Sequence, residues 1–179
     1  MLINILETSF NLIITLNKDL FEIIGLSLKV TLSALIIAVS ISIPFGAFLV
    51  FYKNKFQSFI VLISNTLMGM PPVVLGLMIY TLVSKQGIFG FLDILYTPTA
   101  MILAQTLLII PIVISLTYEE IYKKNKEYNL FLNSLNLNKF NKLKTLIYES
   151  RYALVTVALT GFGRASAEVG AVMIVGGNI

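Results

Sequence analysis

Three long stretches of this chain carry no charged side chain. They are residues 30–52 between Lys29 and Lys53, residues 57–84 from Gln57 to Ser84, and residues 94–118 from Ile94 to Tyr118. Each exceeds the ~20 residues that an α-helix needs to cross the hydrocarbon of a bilayer. A lipid-facing strand would need only about ten residues of alternating polarity, and these runs do not alternate. Only 12% of the 179 residues are charged and 57% are hydrophobic, too little polar surface to cover a water-soluble globule. The sequence therefore predicts transmembrane helices near 30–52, 57–83 and 97–117, and a fourth near 152–179 that is interrupted by Arg164 and Glu168.

The loops set the orientation. The first connection carries Lys53 and Lys55 and no acid, and in the second Lys85 and Asp93 cancel. The third, 119–151, carries Lys123, Lys124, Lys126, Lys139, Lys142, Lys144 and Arg151 against four Glu. By the positive-inside rule the first and third connections face the cytoplasm, and the N-terminus faces outside. The net charge of +4 is thus a topology signal. No basic face with interleaved aromatics suggests a nucleic-acid partner. With His 0 and Cys 0, the chain has no Cys or His nucleophile, no His base and no metal centre built on such ligands.

Over residues 1–18, Asn4, Glu7, Asn11, Thr15 and Lys18 alternate with Leu2, Leu6, Phe10 and Ile13 at helical spacing. That pattern suits an amphipathic helix lying in the membrane interface, and equally a polar extension of the first span.

Four features stand out as candidates for function. Pro71 and Pro72 fall in the middle of the second run, where each ring removes a backbone donor and leaves the carbonyls of Leu67 and Met68 without their usual partners. This reads as a broken helix beside a path, or as a structural kink. Pro44 and Pro111 read as single kinks. Arg164 and Glu168 are four residues apart in an apolar segment, so a helix sets them on one face. They read as a gate near an anion path, or as a mutually satisfied pair. Gly163, Ala167 and Ala171 repeat at spacing four, which permits a close helix contact. In the long third loop, Leu130, Phe131, Leu132, Leu135, Leu137, Phe140, Leu143 and Leu146 form an apolar ridge. Asn136 is suited to end one helix and Asn138 to start the next. A short helix–turn–helix below the membrane, docking into a partner's groove or folding back on its own bundle, is expected.

The segments Ser134–Leu154 and Gly161–Ile179 together resemble the coupling loop and following helix of binding-protein-dependent ABC importer permeases. The stretch from Gly161 to Ile179 looks most like the tungstate permeases of that superfamily. Met70–Gly76 resembles the second helix of those permeases, and Thr97–Gln105 ahead of Pro111 resembles the third. Two departures are visible. The family's Glu-Ala-Ala falls on Leu130, Phe131 and Leu132, and its following Gly falls on Asn136. Family members also continue beyond the point equivalent to Ile179, so a C-terminally truncated permease is expected.

The resemblance implies an all-α polytopic membrane bundle of the MetI-like type, occupying 19–179 after the segment 1–18. It implies a homodimer in the bacterial inner membrane, two ATP-binding subunits below and a substrate-binding protein outside. ATP and Mg would then be cofactors of the partner subunit and not of this chain, which has no Walker-type phosphate loop and is not itself the enzyme. The coupling contact would fall on Leu130, Phe131, Leu132, Leu135, Asn136 and Leu137. The path or gate would fall on Pro71, Pro72, Arg164, Glu168, Gly176 and Gly177. Tungstate is the expected cargo. A molybdate or sulfate permease of the same architecture and a non-transporting scaffold are the alternatives. A gradient-driven carrier would show internal repeats and no docking loop.

Overall fold

The structure, a computed structural model, describes residues 18–52 and 54–177. The expected interfacial helix falls on residues 1–17 and lies outside the described residues, as do Lys53, Asn178 and Ile179. Among the described residues seven α-helices follow in order: α1 (Lys18–Leu49), α2 (Lys55–Met68), α3 (Pro72–Val83), α4 (Pro98–Ser134), α5 (Lys139–Glu149), α6 (Arg151–Ser166) and α7 (Gly170–Gly176). A single 3-10 turn, Gly90–Leu92, lies in the α3–α4 connection. Among the described residues there is no strand, and the fold is all-α.

Among the described residues two helices are long and apolar enough to cross a membrane alone, α1 over Leu20–Leu49 and α4 over Pro98–Ser134. Both run through an internal proline, Pro44 in α1 and Pro111 in α4. The expected span 57–83 is not one helix: α2 and α3 meet at a bend of 106°. The expected span 152–179 is likewise two helices, α6 and α7, bent by 61°. The third span continues past 117 without interruption to Ser134, where its mixed charges had read as a separate loop.

Helix α4 is the mast of the bundle. At 1.5 Å per residue its 37 residues extend about 55 Å, well beyond the ~30 Å of hydrocarbon. The first bent pair tracks its apolar first half, from Tyr118 back to Ala100. Gln57 of α2 lies against Tyr118, Asn65 against Ser115, and Ile79 and Val83 of α3 against Ala100 and Ala104. The second pair does the same: Leu154 packs with Ile121, Val157 with Ile109 and Val113, and Val175 with Ala100. Each bent pair therefore follows α4 along the bundle, as a broken span does, instead of returning to its starting side.

The core is a string of three clusters along α4. In the middle, Ala34 and Ala38 of α1 face Ile109 and Val113 of α4 and Val157 and Ala165 of α6. Alanines at this contact let the backbones approach. Gly46 does so further along, since a Cβ there would lie 2.8 Å from the carbonyl oxygen of Ile114. The second cluster joins Ala47, Val50, Ile121, Leu132, Leu146 and Leu154, and ties the α4–α5 hairpin to the bundle. The third joins Ile79, Val83, Ala100, Ala104 and Val175 at the opposite end.

Candidate gate and docking hairpin

The Pro71–Pro72 pair both ends α2 and starts α3. The residue before a proline is pushed out of the helical region, and a proline at the first helical position has no donor to waste. Pro71 is extended (φ −62°, ψ 127°) and Pro72 opens α3. The last turn of α2 tightens, so that Gly69 N–H donates to Thr66 O and Met70 N–H to Leu67 O, both at 3.1 Å. The Leu67 carbonyl, expected to be orphaned, is thus satisfied. Beyond the break, Val74 N–H donates to Pro71 O at 3.0 Å.

The second break has no proline. Ala167 N–H bonds to Gly163 O and Glu168 N–H to Ala165 O, which closes α6. The Glu168 carboxylate then accepts from Ala171 N–H at 3.1 Å and caps α7. A carboxylate at a helix N-terminus faces the positive end of the peptide dipoles.

The two breaks pack against each other. A Cβ on Gly76 would lie 2.9 Å from the Ala171 Cα, and one on Gly170 would lie 2.9 Å from Val73 Cγ2. The structure thus gathers Pro71, Pro72 and Glu168 at one pair of hinges. Gly176 and Gly177 sit at the far end of α7. Gly176 is buried against Met101, and Gly177 (φ 70°) lies against the Tyr96 ring, whose backbone N–H donates to Val175 O at 3.0 Å.

Arg164 and Glu168 do not form a mutually satisfied pair, one of the two readings of their spacing, because the break at Ala167 turns them to different sides. Arg164 faces the α2–α3 break, lining a small cavity of about 20 Å³ with Met68, Met70 and Pro111. Glu168 lines a separate cavity against α1. Among the described residues the Arg164 guanidinium makes no ion pair and no hydrogen bond. The small-residue stripe is also divided. Ala171 makes the contact with Gly76, whereas a Cβ on Gly163 would meet nothing within 4 Å. The glycine that admits α4 is Gly161, where a Cβ would lie 3.0 Å from Ile109 Cγ2.

Sequence reasoning did not single out the polar contacts between α2 and α4. Gln57 Nε2 donates to the Tyr118 hydroxyl at 2.7 Å, and the Ser115 hydroxyl donates to Asn65 Oδ1. The signal available was the placement of Gln57 and Asn65 in one charge-free run and of Ser115 and Tyr118 in the other.

The hairpin turns at Asn136, which adopts the left-handed conformation (φ 47°) that asparagine tolerates better than most residues. Asn138 caps α5, its Oδ1 accepting from Asn141 N–H at 2.8 Å. The apolar ridge divides into two faces. Leu132 and Leu146 are buried in the chain's own second cluster, with Leu137 and Leu143 packed against it. Leu130 (86% exposed), Phe131 (60%) and Phe140 (73%) point outward, together with half-exposed Leu135. Lys142 Nζ donates to Asn133 Oδ1 at 2.7 Å and holds α5 to the end of α4. On α4 above the hairpin, Glu120 and Glu127 hydrogen-bond Lys123 and Lys124 and hold these ammonium groups above their usual pKa.

A bundle of apolar helices, two of them long enough to cross a membrane and two pairs broken where they pack against each other, fits a polytopic membrane protein. Residues 38–176 match the family model of the binding-protein-dependent transport system inner membrane component, and the chain belongs to this family. It is 36% identical over 173 residues to the tungstate uptake system permease protein TupB of Peptoclostridium acidaminophilum, covering 97% of this chain and 76% of that protein. It is 43% identical over 129 residues to the tungstate uptake system permease protein TupB of Campylobacter jejuni, covering 72% of this chain and 54% of that protein. A probable anion ABC transporter permease protein of Haloferax volcanii is 32% identical over 160 residues, 89% of this chain and 69% of the relative. The chain thus spans about three-quarters of the first relative and about half of the second.

Proposed function

We propose that this chain is the membrane-spanning subunit of an ATP-driven importer and that its cargo is an oxyanion, tungstate. The observation that carries the reading is the pair of broken helices packed hinge to hinge on an unbroken α4 that also forms the first arm of the hairpin. The names of the two TupB relatives supply the cargo.

The proposed mechanism is mechanical. An ATP-binding subunit, which holds ATP and Mg, grips Leu130, Phe131, Leu135 and Phe140 at the cytoplasmic tip. Burying these side chains removes apolar surface from water, which stabilises the contact at about 25 cal/mol per Å². Leu132 and Leu137 anchor the hairpin to the bundle, so tip movement passes into α4 and to the α2–α3 and α6–α7 hinges resting on it. The path lies between two copies, and the exposed Gly163 and Ala167 allow close approach there. Arg164, unpaired beside the α2–α3 break, supplies the positive field for a dianion. A lone guanidinium binds such an ion weakly enough to release it, and selectivity falls to the external binding protein. The reaction centre for ATP belongs to the partner, and the N-terminus lies outside.

Co-purification with the ATP-binding subunit tests the docking half of this reading. Leu130→Ser, Phe131→Ser and Phe140→Ser together are expected to abolish association while the chain stays folded, because all three side chains are exposed. Undiminished association of the triple variant would overturn it.

A further inference from the structure

The seam between α2 and α4 holds a polar side chain at a depth where lipid would not tolerate it. Asn65 lies within the charge-free run, about 15 Å along α2 from Lys55. The residue is exposed. Its Oδ1 accepts from the Ser115 hydroxyl of α4, which fixes the carboxamide and leaves the NH2 group outside that bond. Among the described residues the two Nδ2 donors make no hydrogen bond. Unpaired donors are costly against hydrocarbon, so this edge of α2 faces water, a ligand or another protein surface.

The helices set Asn65 relative to Arg164. Arg164 lines its small cavity together with Met68 of α2 and Pro111 and Ile112 of α4. Met68 comes three residues after Asn65, and Pro111 and Ile112 come four and three residues before Ser115. On both helices the Asn65–Ser115 pair therefore shares the face of the cavity, one turn or about 5 Å away. With the basic connections on the cytoplasmic side, that turn is the cytoplasmic one. On α6, Thr160 lies at the same level, four residues before Arg164, and is exposed. The Thr160 hydroxyl already donates to the Thr156 carbonyl at 2.9 Å, and the Ser115 hydroxyl to Asn65. Of these three side chains, Asn65 is the one with unused N–H donors.

We infer that Asn65 is the next anion contact after Arg164, its Nδ2 donors receiving an oxyanion oxygen as the dianion leaves the guanidinium for the cytoplasm. The inference deepens the transport reading and rests on it. A neutral donor pair suits this step. It replaces part of the lost hydration without a second positive charge to hold the ion. Ser115 positions the amide.

The test compares tungstate uptake into vesicles carrying the full complex, expressed per assembled complex, with assembly read by native mass spectrometry. Asn65→Asp is nearly isosteric and keeps an acceptor for Ser115, but it replaces the donors with negative charge. Asn65→Leu loses the Ser115 bond as well. A purely structural role makes Asn65→Asp the milder change, whereas a donor role makes it the worse one. Uptake is expected to fall about tenfold in Asn65→Leu and about a hundredfold in Asn65→Asp. Asn65→Gln keeps both donors on a longer arm and should retain more uptake than Asn65→Leu, which keeps the test open if Asn65→Asp does not assemble. Uptake in Asn65→Asp at or above that of Asn65→Leu, or Asn65→Gln no better than Asn65→Leu, would overturn the inference. So would loss of the homodimer in Asn65→Leu, which would assign the amide to the contact between copies. If Arg164→Gln lowers uptake and the Asn65 variants do not, the transport reading stands and this inference falls. A wild-type complex that takes up no oxyanion would overturn both.

Discussion

Replacing Gly76 with alanine tests the hinge contact most sharply. A Cβ there would stand 2.9 Å from the Ala171 Cα, 3.3 Å from the Ala171 Cβ and 3.3 Å from the Ala171 carbonyl oxygen. Carbon atoms pack best at about 3.5–4.0 Å, so α3 and α7 must separate by at least about 0.5 Å. Two of the three opposing atoms are backbone and no rotamer change moves them. Overpacking of this kind costs about 1–3 kcal/mol, against which alanine returns about 0.5–1 kcal/mol through helix propensity. A net loss of about 1–2 kcal/mol corresponds to a Tm lower by about 2–8 °C for a chain of this size, read by thermal unfolding in detergent. Gly163→Ala is the control, with nothing within 4 Å of the new methyl, and should raise Tm slightly in the isolated chain. Adding Ala171→Gly to Gly76→Ala should restore only part of the loss, because the Ala171 Cα remains in the way. The reasoning is refuted if Gly76→Ala behaves like Gly163→Ala, or if Ala171→Gly restores the whole loss.

Asn138→Ala should destabilise the start of α5 by about 1 kcal/mol, seen as faster hydrogen exchange confined to Lys139–Lys142, with unchanged exchange in α4. Ser115→Ala should cost about 0.6 kcal/mol by loosening α2 from α4, and combined with Asn65→Leu the loss should be less than additive in a double-mutant cycle. Arg164→Gln should leave Tm unchanged within experimental error, since the guanidinium makes no bond within the described chain, yet lower oxyanion uptake about tenfold in vesicles. Arg164→Lys should retain part of that uptake.

The crossings were legible because the absence of charge over some twenty residues leaves a chain few choices in a bilayer. The Pro71–Pro72 break was legible as a possibility, since two rings remove two donors at one place. That the pair ends one helix and opens another at 106°, instead of merely kinking it, is a feature of the tertiary arrangement, in which Gly76 packs against Ala171. The second break was legible only as an interruption of the apolar run at Arg164 and Glu168, not as a change of helix. No proline marks it, and the i, i+4 spacing of Arg164 and Glu168 suggested a continuous helix. Glu168 instead turns its carboxylate onto Ala171 N–H, a local competition between side chain and backbone that spacing alone does not decide. Gly163 and Gly161 are two residues apart and equally small in sequence, so only the packing of Ile109 and Val113 tells which is the contact. The apolar ridge of the hairpin was visible, but its division into an anchoring face with Leu132 and an outward face with Leu130 and Phe140 follows from the direction of α5, set by Asn136.

ATP hydrolysis by the reconstituted complex of this chain, its ATP-binding subunit and its external binding protein, titrated with tungstate, molybdate and sulfate, probes the central claim most directly. Hydrolysis stimulated by tungstate at lower concentrations than by the other two oxyanions, and uncoupled from tungstate when the hairpin tip is altered, is the expected result. Hydrolysis indifferent to every oxyanion, with the complex assembled, would contradict it.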